Sequence, residues 1–162
     1  MKNKVIVISG TPGVGKEKLA RKLSKELRYK RIDLHDYYQK ISLGYDKSKK
    51  CYDIDLKKFF SLVTRLKKEN SLVVDSHIGH LLPARLVDLC VVLTCSNLKK
   101  LEKSLQARKY NKKKVRENLD VEIFQICIVE AKEKHQVLMF DICKTSQKNM
   151  IDAINKEINN LS

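Results

Sequence analysis

The stretch Val5-Ile6-Val7-Ile8-Ser9-Gly10-Thr11-Pro12-Gly13-Val14-Gly15-Lys16-Glu17 decides the fold. Val5 to Ile8 form an apolar run too short for a helix, which reads as a central parallel strand covered on both faces. The residues after it match the phosphate-binding pattern G-x-x-x-x-G-K-[ST], the P-loop, except at the last place, where Glu17 stands for the hydroxyl residue. Glycines let the backbone curl so that successive N–H groups converge on a polyphosphate at a helix N-terminus. Gly10, Thr11, Pro12, Gly13, Val14, Gly15, Lys16, Glu17 and Lys18 are therefore the candidate nucleotide-binding residues, with Lys16 reaching the outer phosphates. A glycine-rich turn between strand and helix is the bland alternative; the strand-first context and the lysine in register argue against it.

Working outward, Leu19, Leu23 and Leu27 with Ala20 recur at helical spacing from Lys16 to Arg28. A second short strand is expected over Tyr29 to Ile32. Residues 33–55 turn aromatic and polar (Tyr37, Tyr38, Tyr45, Tyr52) and read as an excursion from the core, a short helix and then a loop. Leu56, Phe59, Phe60, Val63 and Leu66 mark a helix ending near Asn70, and Ser71 to Val74 a buried strand that runs into Asp75-Ser76-His77. Leu86 to Leu93 supplies another strand, followed by Ser96 or Asn97 as N-cap of a helix carrying Leu98, Leu101 and Leu105. One long helix is expected from Lys112 to Lys134, a last strand from Val137 to Ile142 and a closing helix with Ile151, Ile154, Ile158 and Leu161. Strands alternating with helices imply a three-layer α/β/α sandwich on a parallel sheet, in one domain spanning 1–162.

Composition narrows the partners. The 162 residues are 43% hydrophobic and 33% charged, with no apolar run of membrane-spanning length and no secretory signal. Cys51, Cys90, Cys95, Cys127 and Cys143 contain no C-x-x-C pair and read as reduced thiols of an intracellular protein. The formal net charge of +15 favours polyanionic partners, nucleotide phosphates first and RNA second, although solvated lysine-rich faces alone account for such an excess equally well. Residues 99–116 hold nine Lys or Arg against the single acid Glu102, which suits a lid over phosphates.

Asp75 ends a buried strand, where P-loop proteins place an acid that holds magnesium directly or through water. His77 projects from the same strand end, near transferred phosphate or attacking water. His77 and His80 also read as metal ligands, a weak alternative without a third ligand at metal spacing. Arg85 in a loop and Arg108 near the end of the basic helix are guanidinium candidates for phosphate, each against the alternative of a solvated surface charge.

A wider set of motifs carries a family resemblance. Gly10-Thr-Pro-Gly-Val-Gly-Lys16, Gly44-Tyr45-Asp46, Tyr52-Asp53, Asp75-Ser-His77, Leu82-Pro83-Ala-Arg85, Asp88-x-x-Val-Val-Leu93, Ala107-Arg108-x-Tyr110, Lys113-x-x-x-Glu117-Asn118 and Glu122-Ile-Phe124 together resemble the isoenzyme-six family of adenylate kinases, nuclear in eukaryotes and also found in archaea. The likeness runs from residue 4 to about residue 145. It implies a P-loop nucleoside monophosphate kinase fold, ATP and AMP as substrates with Mg2+, a monophosphate-binding excursion over 33–55, a short lid over 108–118 and a monomer. It also implies an ATPase assisting small-ribosomal-subunit maturation, with rRNA or a ribosomal protein as partner, in the nucleus of a eukaryote or the cytoplasm of an archaeon. By matched position, Lys16 and the loop amides bind ATP, Asp75 positions magnesium or water, His77 supports transfer or hydrolysis, Arg85 meets the monophosphate or moving phosphoryl, and Arg108 closes over ATP. Glu17 departs from the family's Ser or Thr and, with Asp75, is a candidate magnesium ligand. Gln39, Ser104 and Thr94 stand where the family carries arginines.

Overall fold

A computed structural model describes residues 2–161. Five parallel strands form the central sheet in the order β2 (Lys30–Asp33), β5 (Leu72–Asp75), β1 (Val5–Gly10), β6 (Leu89–Thr94), β7 (Val137–Asp141). β1 is central and buried over its full length, as its unbroken apolar run requires. Its alternate side chains serve two cores. Ile6 and Ile8 pack on the face covered by α1 (Lys16–Leu27), α4 (Leu98–Ala107) and α7 (Gln147–Asn160). Val5 and Val7 pack on the other face with Phe59, Leu62 and Val63 of α3 (Leu56–Lys67) and Ile128 and Ala131 of α6 (Ile126–Lys132). The expected three layers are thus present, and the crossover positions put every strand's C-terminal end at one edge, where α/β proteins bind ligands.

Three local expectations are corrected. The excursion after β2 is not a short helix and loop: a 3-10 turn (Leu34–Tyr37) and the one-turn α2 (Tyr38–Ile41) lead into an antiparallel hairpin of β3 (Ser42–Asp46) and β4 (Cys51–Ile54). Asp46 closes its turn by accepting from the Ser48 and Lys49 N–H groups at 2.8 and 3.1 Å. The expected helix from Lys112 to Lys134 is two, α5 (Lys112–Ile123) and α6, separated where Gln125 takes a left-handed φ of 52°. Leu86 to Asp88 belong to a turn before β6, because Leu86 N–H and Val87 N–H donate to Pro83 and Ala84 carbonyls. Asn97, not Ser96, caps α4 by accepting from Lys100 N–H. All five cysteines are free thiols. No helix among the described residues is long and apolar enough to cross a membrane.

Candidate active site

The loop between β1 and α1 lies at the C-terminal edge of the sheet. Gly10 has φ 142°, and a Cβ there would meet the Leu93 carbonyl oxygen at 2.5 Å, so only glycine lets the loop leave β1 so close to β6. Gly15, at φ 92°, caps α1 without a side-chain bond, leaving the first amides of α1 unanswered by any cap. Lys16 Nζ donates to the Gly10 and Thr11 carbonyls at 2.9 and 3.1 Å. Burial pushes its pKa down from 10.5 to about 8, against the pull of Asp75 and with further lowering from Arg108.

Around Lys16 opens a cleft of about 430 Å3, the size of a small-molecule site. Its floor is Pro12, Lys16, Glu17, Asp75 and His77. One wall comes from the excursion, with His35, Tyr38, Tyr45, Lys50 and Tyr52, whose rings pack in series: Tyr38–Tyr52 at 5.5 Å and Tyr45–Tyr52 at 5.2 Å between centroids. The opposite wall comes from residues 108–118, through Arg108, Tyr110, Lys114 and Asn118. Lys114 Nζ stands 4.1 Å from the centre of the Tyr110 ring.

Electrostatics on the floor follow from burial. Burial raises the pKa of Asp75, although a hydrogen bond from Arg31 opposes it. Burial and then the Lys16 charge push His77 down from 6.5 to about 4, which makes it a neutral imidazole at pH 7. Each therefore has a proton balance set by the crowded cations and the low dielectric around it.

Of the residues singled out in the sequence, Pro12, Lys16, Glu17, Asp75, His77 and Arg108 line this cleft, Gly10, Thr11, Gly13, Val14 and Gly15 belong to the loop beside it without lining it, and Lys18, Arg85 and His80 lie elsewhere. Lys18 is exposed on α1 and does not line the cleft. Arg85 is exposed in the turn that descends from the site: Asp88 N–H donates to the Val5 carbonyl and the Leu86 carbonyl accepts from Lys67, which puts this turn at the opposite, N-terminal edge of the sheet. The expectation that Arg85 meets the monophosphate or the moving phosphoryl is corrected accordingly. His80 is buried, with Nδ1 2.7 Å from Ser9 Oγ and Nε2 2.7 Å from Glu130 Oε2, so it joins β1 to α6 rather than holding a metal with His77.

The residues present do not fit a magnesium ion held between Glu17 and Asp75. Glu17 receives Arg21 Nη2 at 2.6 Å and Nε at 3.0 Å, and its pKa is lowered by that hydrogen bond first. Arg31 Nη2 lies 3.9 Å from Glu17 and 3.2 Å from Asp75, so a guanidinium already stands between the two carboxylates. Among the described residues no three His, Cys, Asp or Glu side chains group as metal ligands.

Two participants escaped the sequence reading. Arg31 is one; the signal was its i, i+2 spacing to Asp33 on a strand, but the partner Asp75 becomes its neighbour only through β2–β5 register. The other is Glu122 on α5, whose two carboxylate oxygens accept from Thr11 Oγ1 at 2.7 Å and Cys95 N–H at 2.8 Å, tying the loop to the end of β6. It sits in the quoted Glu122-Ile-Phe124 motif, which carried no role.

A parallel sheet, a phosphate-binding loop at its C-terminal edge, and facing walls from an inserted hairpin and a basic lid define a P-loop nucleotide kinase. Comparisons with known proteins agree. Residues 6–125 match the family model described as an AAA domain. The chain is 30% identical over 155 residues to an adenylate kinase isoenzyme 6 homolog of Saccharomyces cerevisiae, covering 93% of this chain and 78% of that protein. It is 34% identical over 152 residues to a putative adenylate kinase of Methanocaldococcus jannaschii, covering 92% and 82%. The chain belongs to the adenylate kinase isoenzyme 6 family. Its fold is similar to the Bacillus subtilis YorR protein, solved in complex with phosphorylated GDP, with a TM-score of 0.63, 18% identity and 96% of each chain covered.

Proposed function

We propose that the chain is an adenylate kinase, moving the γ-phosphoryl group of ATP, taken up with Mg2+ as its substrate form, to AMP to give two ADP. The observation that carries this reading is the second half of the cleft. An ATP-hydrolysing site needs one nucleotide and a water. Here the cleft continues past Lys16 and Asp75 into a wall of Tyr38, Tyr45 and Tyr52 with Lys50 at its rim, which suits a second base and phosphate. In this reading the loop amides and Lys16 bind the donor phosphates, and Arg108, Tyr110 and Lys114 close over them. The hairpin wall holds the acceptor in line with the γ-phosphate, so that positioning and charge stabilisation do most of the catalytic work. Neutral His77 on the floor accepts a hydrogen bond from the acceptor or from water. Arg85 has no part.

A second reading, an ATPase that acts on small-subunit rRNA or a ribosomal protein, is favoured by the +15 charge and the run of cations over 99–116. One assay separates the two: ADP production from ATP alone, from ATP with each nucleoside monophosphate, and from ATP with small-subunit rRNA. Dependence on AMP, lost in Lys16→Ala, supports the kinase. Hydrolysis that ignores AMP and rises with rRNA refutes it and selects the ATPase.

A further inference from the structure

Arg31 and Asp33 lie two residues apart on β2 and so point to one face of the sheet, and the parallel register sets Asp33 beside Asp75 of β5. α1 covers that face and brings Glu17 on its first turn. A single guanidinium nitrogen of Arg31, Nη2, lies 3.0 Å from Asp33 Oδ2, 3.2 Å from Asp75 Oδ2 and 3.9 Å from Glu17 Oε1. Three carboxylates from three elements thus approach one cation, Asp33 and Asp75 within hydrogen-bond reach and Glu17 at its edge. The Arg31 side chain is only 18% exposed and its Nε is buried without a hydrogen-bond partner. Desolvating a guanidinium this far is costly, and only the surrounding carboxylates compensate it.

We infer that Arg31 is a resident cation beneath the nucleotide cleft, neutralising Asp33 and Asp75 and the near edge of Glu17, so that these carboxylates hold no metal and nucleotide affinity depends little on divalent metal. The inference rests on the nucleotide-binding part of the proposed function. It also accounts for Glu17 in place of a hydroxyl residue. A lone carboxylate beside the loop would repel phosphates, but this one is answered by Arg21 and Arg31 together. Glu17 is met by Arg21 and Arg31, Asp33 by Arg31 and the His35 ring, and Asp75 by Arg31, leaving Lys16 on the floor, Arg108 and Lys114 on the lid wall and Lys50 on the facing wall to attract a polyphosphate.

The test uses the full chain and needs no turnover. Free Mn2+ is followed by its spin-resonance signal on titration with protein, and ADP and ATP affinities are measured by calorimetry in excess Mg2+ and in EDTA. Wild-type protein is expected to leave Mn2+ free, and its nucleotide affinity to differ by less than about threefold between the two buffers. Arg31→Gln leaves Asp33 and Asp75 without their guanidinium and is expected to lose about tenfold or more of its nucleotide affinity in EDTA, with Mg2+ restoring it. Arg31→Lys keeps the charge and is expected to follow the wild type, so the test stands even if the glutamine variant does not fold. Mn2+ uptake by the wild type, or an affinity that falls about tenfold or more in EDTA, overturns the inference and leaves the kinase reading intact. Failure of the wild type to bind ADP or ATP in either buffer overturns both.

Discussion

Replacing Lys16 by methionine is expected to make the ligand-free protein more stable while removing its affinity for nucleotide. The lysine holds its charge in a half-buried place, and burial brings its pKa from 10.5 to about 8. One unit corresponds to about 1.4 kcal/mol, so keeping the ammonium charged at pH 7 costs the fold about 3 kcal/mol. Methionine removes that cost, fills similar volume and gives up the hydrogen bonds to the Gly10 and Thr11 carbonyls, each worth about 1 kcal/mol. The balance is a gain of about 1 kcal/mol, or a rise in Tm of about 2 to 4 °C at this chain length. The pH dependence is a sharper signature. Between about 8 and 10.5 the unfolded chain still holds the proton that the folded chain has released, so wild-type stability rises with pH through that window. The methionine variant's advantage should therefore shrink and then reverse. Urea unfolding of both proteins at about pH 7 and about pH 10 measures it. A Lys16→Met protein less stable than the wild type at neutral pH, or a difference that does not move with pH, would refute the reasoning. ADP should raise the wild-type midpoint and leave the variant's unchanged.

Two further outcomes are expected. His77 is held neutral by burial and by Lys16, with its pKa lowered from 6.5 to about 4. Below 6.5 the unfolded chain binds a proton that the folded chain refuses, so stability is lost as pH falls from about 6.5 to about 4, by up to about 3 kcal/mol. Urea midpoints of His77→Gln should slope less across that window, while His135, also lowered by burial, keeps part of the slope in both proteins. For Glu122, alanine leaves the Thr11 hydroxyl and Cys95 N–H without an acceptor and should cost about 2 kcal/mol, whereas glutamine offers a carbonyl to Cys95 N–H and an amide to the Thr11 oxygen and should cost less than about 1 kcal/mol. Equal losses in the two variants would show that volume, not the paired acceptance, is what Glu122 contributes.

The strands of the parallel sheet, their alternation with helices, and the phosphate loop are legible because each is a local signal. Val5 to Ile8 is buried on both faces and therefore apolar throughout, and the glycine spacing of the loop is forced by Gly10 against Leu93. What was not legible depended on register or on a single backbone angle. The hairpin β3–β4 carries its pattern in aromatic and polar side chains, so Tyr45 and Tyr52 read as loop residues in the sequence, whereas strand pairing sets them opposite each other with their rings edge to face. The break between α5 and α6 rests on Gln125, a residue with no preference for the left-handed region. Arg85 was placed in the site by motif alone, and the length of chain needed to return from Asp75 to the start of β6 carries it to the far edge.

The departures from the family pattern acquire a common physical sense around the loop. Ser104, one of the places where the sequence resemblance implies an arginine, donates its hydroxyl to the Gly13 carbonyl at 3.0 Å. Thr94, at another such place, donates to the Phe140 carbonyl at 3.3 Å and links β6 to β7. Ser104 on the Gly13 carbonyl and Glu122 on the Thr11 hydroxyl hold the loop from outside, so the amides stay pre-arranged for phosphate. Cations that could follow charge onto the moving phosphoryl are correspondingly few: Lys16, and Arg108 and Lys114 on the lid wall. Pre-arrangement favours ground-state binding, whereas a guanidinium delivered to the transition state is worth about 10³ or more in turnover. Under the proposed function the substitutions therefore act on kcat far more than on KM, and restoring arginine at Ser104 should raise kcat while loosening the loop it now holds.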